Sequence, residues 1–148
     1  MEKLIEDFKK ARQNLIQTLD EIPENKRNKI LFHYWTAKDL LSHMSGWMIS
    51  ATNNVECLKK GKTPPRVGND EDFNRESVEK RKNWSWDEVY KELVKTSEEF
   101  AESYKDLPKD LWQKRYWPEK DFTPKKILEI EIEHWEEEHL SQIAKLTN

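Results

Sequence analysis

Cysteine, glycine and proline are all scarce in this chain of 148 residues. The single cysteine, Cys57, cannot form a disulfide within the chain, which excludes a disulfide-stabilised scaffold. Three glycines and six prolines are too few for the many turns of a β-sandwich or β-barrel. Because glutamate, lysine and leucine are plentiful instead, the composition predicts a helical protein.

Long apolar runs and net positive charge are also missing. No stretch approaches the roughly 20 apolar residues that cross a bilayer, which excludes a membrane-embedded role. The formal net charge is −3, so no basic field attracts nucleic acid and we expect no nucleic-acid partner. The first residues lack the apolar run of a signal peptide, so we expect a cytoplasmic protein.

Four stretches of the chain repeat apolar residues at intervals of three and four, the spacing that places them on one face of a helix. The stretches are 2–22, 36–60, 85–107 and 123–146. Thr36 and Ser85 each precede an acidic residue by three positions, which is the capping-box pattern at a helix start. Thr123 is followed by Pro124, the pattern of an N-cap before a proline in the first turn.

The connections between these stretches differ in length. Residues 23–35 are predicted to be a polar connection, and 61–84 form a longer one in which residues 70–82 are predicted to be a short helix. Amphipathic helices of this kind bury their narrow apolar faces by packing together as a bundle. Residues 1–148 are therefore predicted to form one all-α domain, a four-helix bundle with a crossover between helices two and three and a short helix in the crossover.

Two histidines lie on or beside the apolar stripes of different helices. His43 borders the stripe of the second helix, and His139 lies on the stripe of the fourth. Imidazoles from two helices that face one bundle interior could ligate zinc, nickel, copper or iron. Two ligands are too few for a metal site, however, so hydrogen-bonded core histidines are the alternative interpretation. His33, in a connection, is interpreted as structural.

The spacing leaves the identity of a third ligand open. His134 precedes His139 by five residues, which corresponds to roughly 140° around an α-helix axis, so the two side chains point in different directions. Glu136 and Asp39 are alternatives, because each lies three or four residues from one of the two histidines. The other acidic residues of the fourth helix, Glu131 among them, are interpreted as a solvated face.

The stretch around His43 resembles a family signature. Residues 35–47 read WTAKDLLSHMSGW, which is similar to the pattern W-[ST]-x-K-D-[LV]-[LI]-x-H-[LIM]-x-x-W of the DinB-like superfamily, in particular its ClbS/DfsB-like branch. Further similarities to this branch are FN at 73–74, WSWDEV at 84–89 and EHL at 138–140. The resemblance covers nearly the whole chain, and it implies a four-helix bundle with the crossover between helices two and three.

The resemblance also implies a metal site at one end of the bundle. Many members bind zinc, nickel or iron through one histidine of helix two and an H-x-x-x-H pair of helix four. By position these ligands fall on His43, Trp135 and His139, so this chain carries a tryptophan where the family has a histidine. His134, one residue away, replaces that ligand only if the helix carries an extra residue as a local bulge.

Two functions follow from these observations. The resemblance implies a metal-dependent hydrolase or S-transferase that acts on small electrophilic molecules, in which the metal lowers the pKa of a water or thiol. The alternative is a metal-free bundle that binds a small hydrophobic ligand or a protein partner, which Trp135 at a ligand position favours. Trp47, Trp135 and Tyr90 are predicted to line the pocket, with core packing as the alternative. The resemblance further implies a homodimer.

Overall fold

We describe the protein from a computed structural model, which covers residues 1–32 and 34–147, so that His33 lies outside the described residues. The helices are α1 (Glu2–Asp20), α2 (Ala37–Lys59), α3 (Asp70–Lys80), α4 (Trp86–Ser103), α5 (Pro124–Glu133) and α6 (Leu140–Ala144). Between α5 and α6 lies one stretch of π-helix, His134–His139, which we name the π segment. The strands are β1 (Ile30–Phe32) and β2 (Trp35–Thr36), and single 3-10 turns occupy Glu24–Lys26 and Lys109–Leu111.

The helices pack as a bundle around one apolar core. The helix α1 packs against α4 and along α5, the π segment and α6, whereas α2 packs against α4 and α3. At the centre the ring of Phe8 meets the rings of Phe100 and Trp135 edge to face, with centroids 5.1 and 5.2 Å apart. This architecture confirms the all-α bundle that the sequence predicts, with α3 as the short helix of the crossover.

The predicted helix starts are present as hydrogen bonds. The Thr36 hydroxyl accepts from the Asp39 backbone N–H at 3.3 Å, and the Asp39 carboxylate accepts from the Thr36 N–H at 3.0 Å. Ser85 and Glu88 form the same reciprocal pair at the start of α4. Each capping box satisfies N–H groups that have no partner inside the helix, which is why α2 and α4 begin where they do.

A small hairpin before α2 departs from the prediction of a plain connection over 23–35. The strands β1 and β2 pair antiparallel, with Ile30 opposite Thr36 and Phe32 opposite Trp35. Strands of three and two residues are too short to show an alternating pattern, so the sequence gives no periodic signal for them. The hairpin leads directly into the Thr36 cap and so helps to set the start of α2.

An ion pair and a close backbone contact help to hold α3 on the bundle. The buried guanidinium of Arg81, just after α3, donates to both carboxylate oxygens of Glu92 on α4 and to the Ser77 carbonyl. On the other side Gly46 of α2 lies against Ser77, so closely that a Cβ at position 46 would come 2.9 Å from the Ser77 Cβ and closer still to its Oγ. The absence of a side chain at Gly46 therefore permits the contact between α2 and α3.

We expect Gly46→Ala to separate α3 from α2 and to lower the free energy of unfolding by about 1–3 kcal/mol, the usual cost of overfilling a packed contact. Urea denaturation measures this change. Gly68→Ala is the matched control, because a Cβ there meets nothing within 4 Å and no loss is expected. Equal stability of both variants would contradict the tight α2–α3 contact.

Within the described chain, no helix combines the length and the apolar character that a bilayer span requires.

Candidate functional site

A pocket of about 430 Å³ lies between α2, α3 and the helix formed by α5 and the π segment. Its apolar wall includes Met44, Trp47, Phe122 and Ile127. Its polar lining consists of Ser50, Asn54, Asp70, Asn74, Lys120, Glu131, Glu138 and three histidines, His43, His134 and His139. A mostly apolar pocket with a few converging polar groups is the usual form of a small-molecule site.

A second, larger groove of about 730 Å³ lies between α1 and α4. Its lining is mainly polar and charged and contains no histidine. Its most buried charge, Arg12, is already engaged, because its guanidinium donates to the Ser97 hydroxyl at 2.7 Å and to the Val94 carbonyl at 2.9 Å. This groove offers no comparable cluster of reactive groups, so we place the candidate site in the histidine-lined pocket.

The three histidines of the pocket lie next to one another. The ring centroids of His43 and His139 are 5.6 Å apart, and those of His134 and His139 are 5.9 Å apart. In an α-helix, residues five apart point in different directions. The π segment carries one extra residue in its turn, and its i to i+5 pattern brings His134 and His139 to the same side.

Hydrogen bonds fix how His43 is held. Its Nδ1 lies 2.8 Å from the Oδ1 of Asn74 on α3, and the same oxygen accepts from the indole Nε1 of Trp47 at 2.6 Å. An oxygen can only accept, so Nδ1 of His43 carries the hydrogen and the other ring nitrogen, Nε2, keeps a free lone pair. In the same way Nδ1 of His139 lies 3.1 Å from the Oε1 of Gln142.

Both of the inner histidines, His43 and His139, have a pKa below the ordinary value for histidine. Burial, and to a smaller extent the neighbouring His139, lower the pKa of His43 to about 4, whereas the hydrogen bond with Asn74 acts in the opposite direction. Burial also lowers the pKa of His139, against the raising effects of Gln142 and Glu138. A neutral imidazole, with a lone pair on one ring nitrogen, is the form of histidine that binds metal ions.

Glu131 lines the pocket as a half-buried carboxyl group, which corrects the prediction that it belongs to a solvated face. Burial raises its pKa from the ordinary value of 4.5 to about 7, and a hydrogen bond with Trp135 offsets this only in part. Glutamates occupy every second position of α5 from 129 to 133. The sequence does not indicate which of these glutamates faces the pocket. A carboxyl group with a pKa near 7 can both hold and release a proton at neutral pH.

We expect Glu131→Gln to stabilise the metal-free protein at pH 8 by on the order of 2 kcal/mol and to have little effect at pH 4.5. A raised carboxyl pKa means that the folded protein keeps a proton which the unfolded chain releases. The stability of the native protein therefore falls as the pH rises from 4.5 to about 7. Urea denaturation at both pH values measures the difference.

Glu129→Gln, at an exposed position one half-turn earlier, is the matched control and should leave stability unchanged at both pH values. A Glu131→Gln variant with the same stability difference from the native protein at pH 4.5 and at pH 8 would show that the Glu131 carboxylate is well solvated.

Other residues that the sequence proposed for the site lie elsewhere. Trp135 is 1% exposed and packs against Phe8 in the core, so it does not line the pocket. The Tyr90 hydroxyl donates to Asp20 of α1 at 2.7 Å, again away from the pocket. Core packing, which was the alternative for both residues, describes Trp135, since its ring is fully buried against Phe8.

The two alternative third ligands are also placed outside the site. The Asp39 carboxylate accepts from the Thr36 N–H as part of the capping box. Glu136 is exposed and is not part of the pocket lining. Of the sequence candidates, the structure thus brings together Trp47, His43, His134 and His139, and it adds Asn74 and Glu131.

The donor set can be compared with the needs of a metal ion. As the side chains lie, no three His, Cys, Asp or Glu residues of 1–32 and 34–147 form a group tight enough to hold one. Two imidazoles bound to one tetrahedral zinc ion have ring centres about 5 Å apart, which is close to the 5.6 and 5.9 Å found here. The side chain of His134 is 46% exposed and lies 3.8 Å from the Glu138 carboxylate, and its ring would have to turn to complete a group of three ligands. The donors fit a zinc-like ion in their chemistry, with this rotation as the required adjustment.

Fold and site together define a helical bundle with a histidine-lined pocket that opens between its helices. The profile of the DinB superfamily matches residues 7–143, and the chain therefore belongs to the DinB superfamily. Members of this superfamily often bind a metal ion. Neither the curated proteins nor the solved structures contain a match to this chain.

Proposed function

We propose that this protein is a metal-dependent hydrolase or S-transferase that acts on small electrophilic molecules. The observation that carries the proposal is the convergence of His43, His134 and His139 on one pocket, which depends on the π segment. A superfamily whose members often bind metal supports the same assignment. The lowered pKa values of His43 and His139 support it as well.

In this proposal His43 and His139 hold a divalent ion such as zinc, nickel or iron, and His134 is the third ligand. The ion would supply Lewis-acid activation of a water or thiol nucleophile. Cys57, the one thiol of the chain, does not line the pocket, so a thiol nucleophile would come from a co-substrate. The volume of about 430 Å³ suits a small organic molecule.

The other lining residues have roles that their chemistry supports. Trp47, Trp117 and Phe122 offer aromatic surface to the apolar part of a substrate. The Glu131 carboxyl can take a proton from the attacking nucleophile or give one to the leaving group, because its pKa of about 7 lies near neutral pH. These groups would bind the electrophile beside the imidazoles and handle the proton that its reaction moves.

We also propose that the chain belongs to the ClbS/DfsB-like branch. The residues that resemble this branch include FN at 73–74 and the stretch 35–47. In the structure Asn74 contacts His43 and Trp47 of that stretch, so two separate parts of the resemblance meet in one pocket. The contact between these two segments supports a site in common with the ClbS/DfsB-like branch, and not a chance similarity of two short segments.

The test compares turnover by zinc-, nickel- and iron-loaded protein with turnover by the metal-free protein. Suitable electrophiles are 1-chloro-2,4-dinitrobenzene with a small thiol, for transfer, and 4-nitrophenyl acetate, for hydrolysis. We expect activity in one of these assays that needs the metal and is lost in His43→Ala and His139→Ala, but retained in Glu129→Gln. Turnover that neither metal removal nor the two histidine substitutions change would contradict the proposal.

A further inference from the structure

Asn74 connects two side chains of α2 through a single oxygen atom. Its Oδ1 lies 2.6 Å from the indole Nε1 of Trp47 and 2.8 Å from Nδ1 of His43. Asn74 itself lies on α3, which the Gly46–Ser77 contact and the Arg81–Glu92 ion pair hold against the bundle. The three residues thus form a fixed chain of hydrogen bonds across the α2–α3 contact, and none of the motifs in the sequence assigns it a role.

The direction of each hydrogen bond in this chain is determined. An indole N–H can only donate, so the Asn74 atom that faces Trp47 must be the amide oxygen and not its NH₂ group. The same oxygen faces His43, and it can only accept there too. The hydrogen of the neutral His43 ring must therefore sit on Nδ1, which leaves the lone pair on Nε2.

We propose that Asn74, oriented by Trp47, is a positioning residue that selects the Nδ1–H tautomer of His43 and so keeps its Nε2 free to bind a ligand in the pocket. Phe73 holds the indole from the other side, with ring centroids 4.3 Å apart, so the donor itself is also fixed in place. The value of this arrangement for catalysis rests on the proposed metal-dependent function, since a partner on the second nitrogen is what orients a metal-binding histidine.

The tautomer can be measured directly by long-range ¹H–¹⁵N correlation spectra of the metal-free, ¹⁵N-labelled protein at pH 7.5. In the native protein we expect the hydrogen of His43 on Nδ1. In Asn74→Leu, which removes the acceptor and keeps the size, we expect a mixture of the two tautomers. In Trp47→Phe the amide is free to turn its NH₂ group to His43, and we expect the hydrogen to move to Nε2 in part or all of the population.

Two further variants separate this role from simple packing. Asn74→Asp keeps an oxygen acceptor and should retain the hydrogen on Nδ1. Trp117→Phe is the matched control for Trp47→Phe, because Trp117 lines the same pocket but its indole donates to the Pro64 carbonyl instead. The Trp117 variant should show the native tautomer. Native tautomers in both Asn74→Leu and Trp47→Phe would overturn the proposal.

Zinc titration of the same proteins connects the tautomer to metal binding. We expect Asn74→Leu and Trp47→Phe to bind zinc roughly 10- to 100-fold more weakly than the native protein, the usual effect of losing the partner that orients a ligand histidine. Asn74→Asp should restore the affinity. If the tautomer changes in Asn74→Leu and Trp47→Phe but the native protein binds no zinc, the role of Asn74 is supported and the proposed metal-dependent function is contradicted. Failure of the tautomer proposal is therefore distinguishable from failure of the proposed function.

Discussion

Deletion of Glu137 is expected to leave the protein folded, with a free energy of unfolding equal to or above that of the native chain. The π segment holds one residue more than a regular helix would need between Glu133 and Leu140. Removal of an exposed residue from it converts the turn to α-helix and leaves the helices on either side in their present orientation. His134 and His139 would then be four residues apart, as in an H-x-x-x-H pair, and would still share one face.

Deletion of Glu129 is the matched control, since this residue is also exposed but lies in the regular helix α5. Here the residues that follow turn by roughly 100° relative to Leu128, which moves the buried Trp135 out of register with the core. We expect a loss of about 3 kcal/mol or more, comparable to the truncation of a large core side chain. Urea denaturation measures both variants, and an equal loss in both would show that the C-terminal helix contains no extra residue.

Substitution of His43 or His139 is expected to weaken metal binding severely. His43→Ala and His139→Ala each remove a ligand from the proposed site, whereas loss of an orienting partner alone costs roughly 10- to 100-fold in affinity. We therefore expect zinc to bind each variant more than about 100-fold more weakly than the native protein. Calorimetric titration of proteins without an affinity tag measures this change.

His134→Ala is informative as a third variant of the same series. Its side chain is 46% exposed and lies 3.8 Å from the Glu138 carboxylate, so it is less firmly held than the other two. We expect a smaller but measurable loss of zinc affinity. Unchanged affinity in His134→Ala would remove it from the ligand set and leave the third position to another group.

The parts of the fold that local chemistry determines were predictable from the sequence. The capping boxes at Thr36 and Ser85 and the Thr123–Pro124 start each depend on residues within one turn, and each is present as a hydrogen bond. The apolar stripes fix which helix faces turn inwards, and therefore the bundle itself. The hairpin of β1 and β2 was not predicted, because strands of three and two residues are too short to show alternating apolar and polar positions.

The site was less predictable because its geometry depends on contacts between distant residues. A spacing of five between His134 and His139 separates the rings in an α-helix and joins them in a π-helix, and the local sequence does not choose between the two. His43 and Asn74 are 31 positions apart, so no helical spacing relates them. The sequence does not distinguish Glu131 from a surface glutamate, because only the folded structure places it in the pocket lining.

The proposed function requires the three histidines of the pocket to hold a metal ion. Elemental mass spectrometry of the native protein tests it most directly, after purification without a His tag and separate reloading with zinc, nickel and iron. We expect about one ion per chain for at least one of these metals, and no ion in the double variant that carries both His43→Ala and His139→Ala. No metal in the native protein under any loading condition would contradict it.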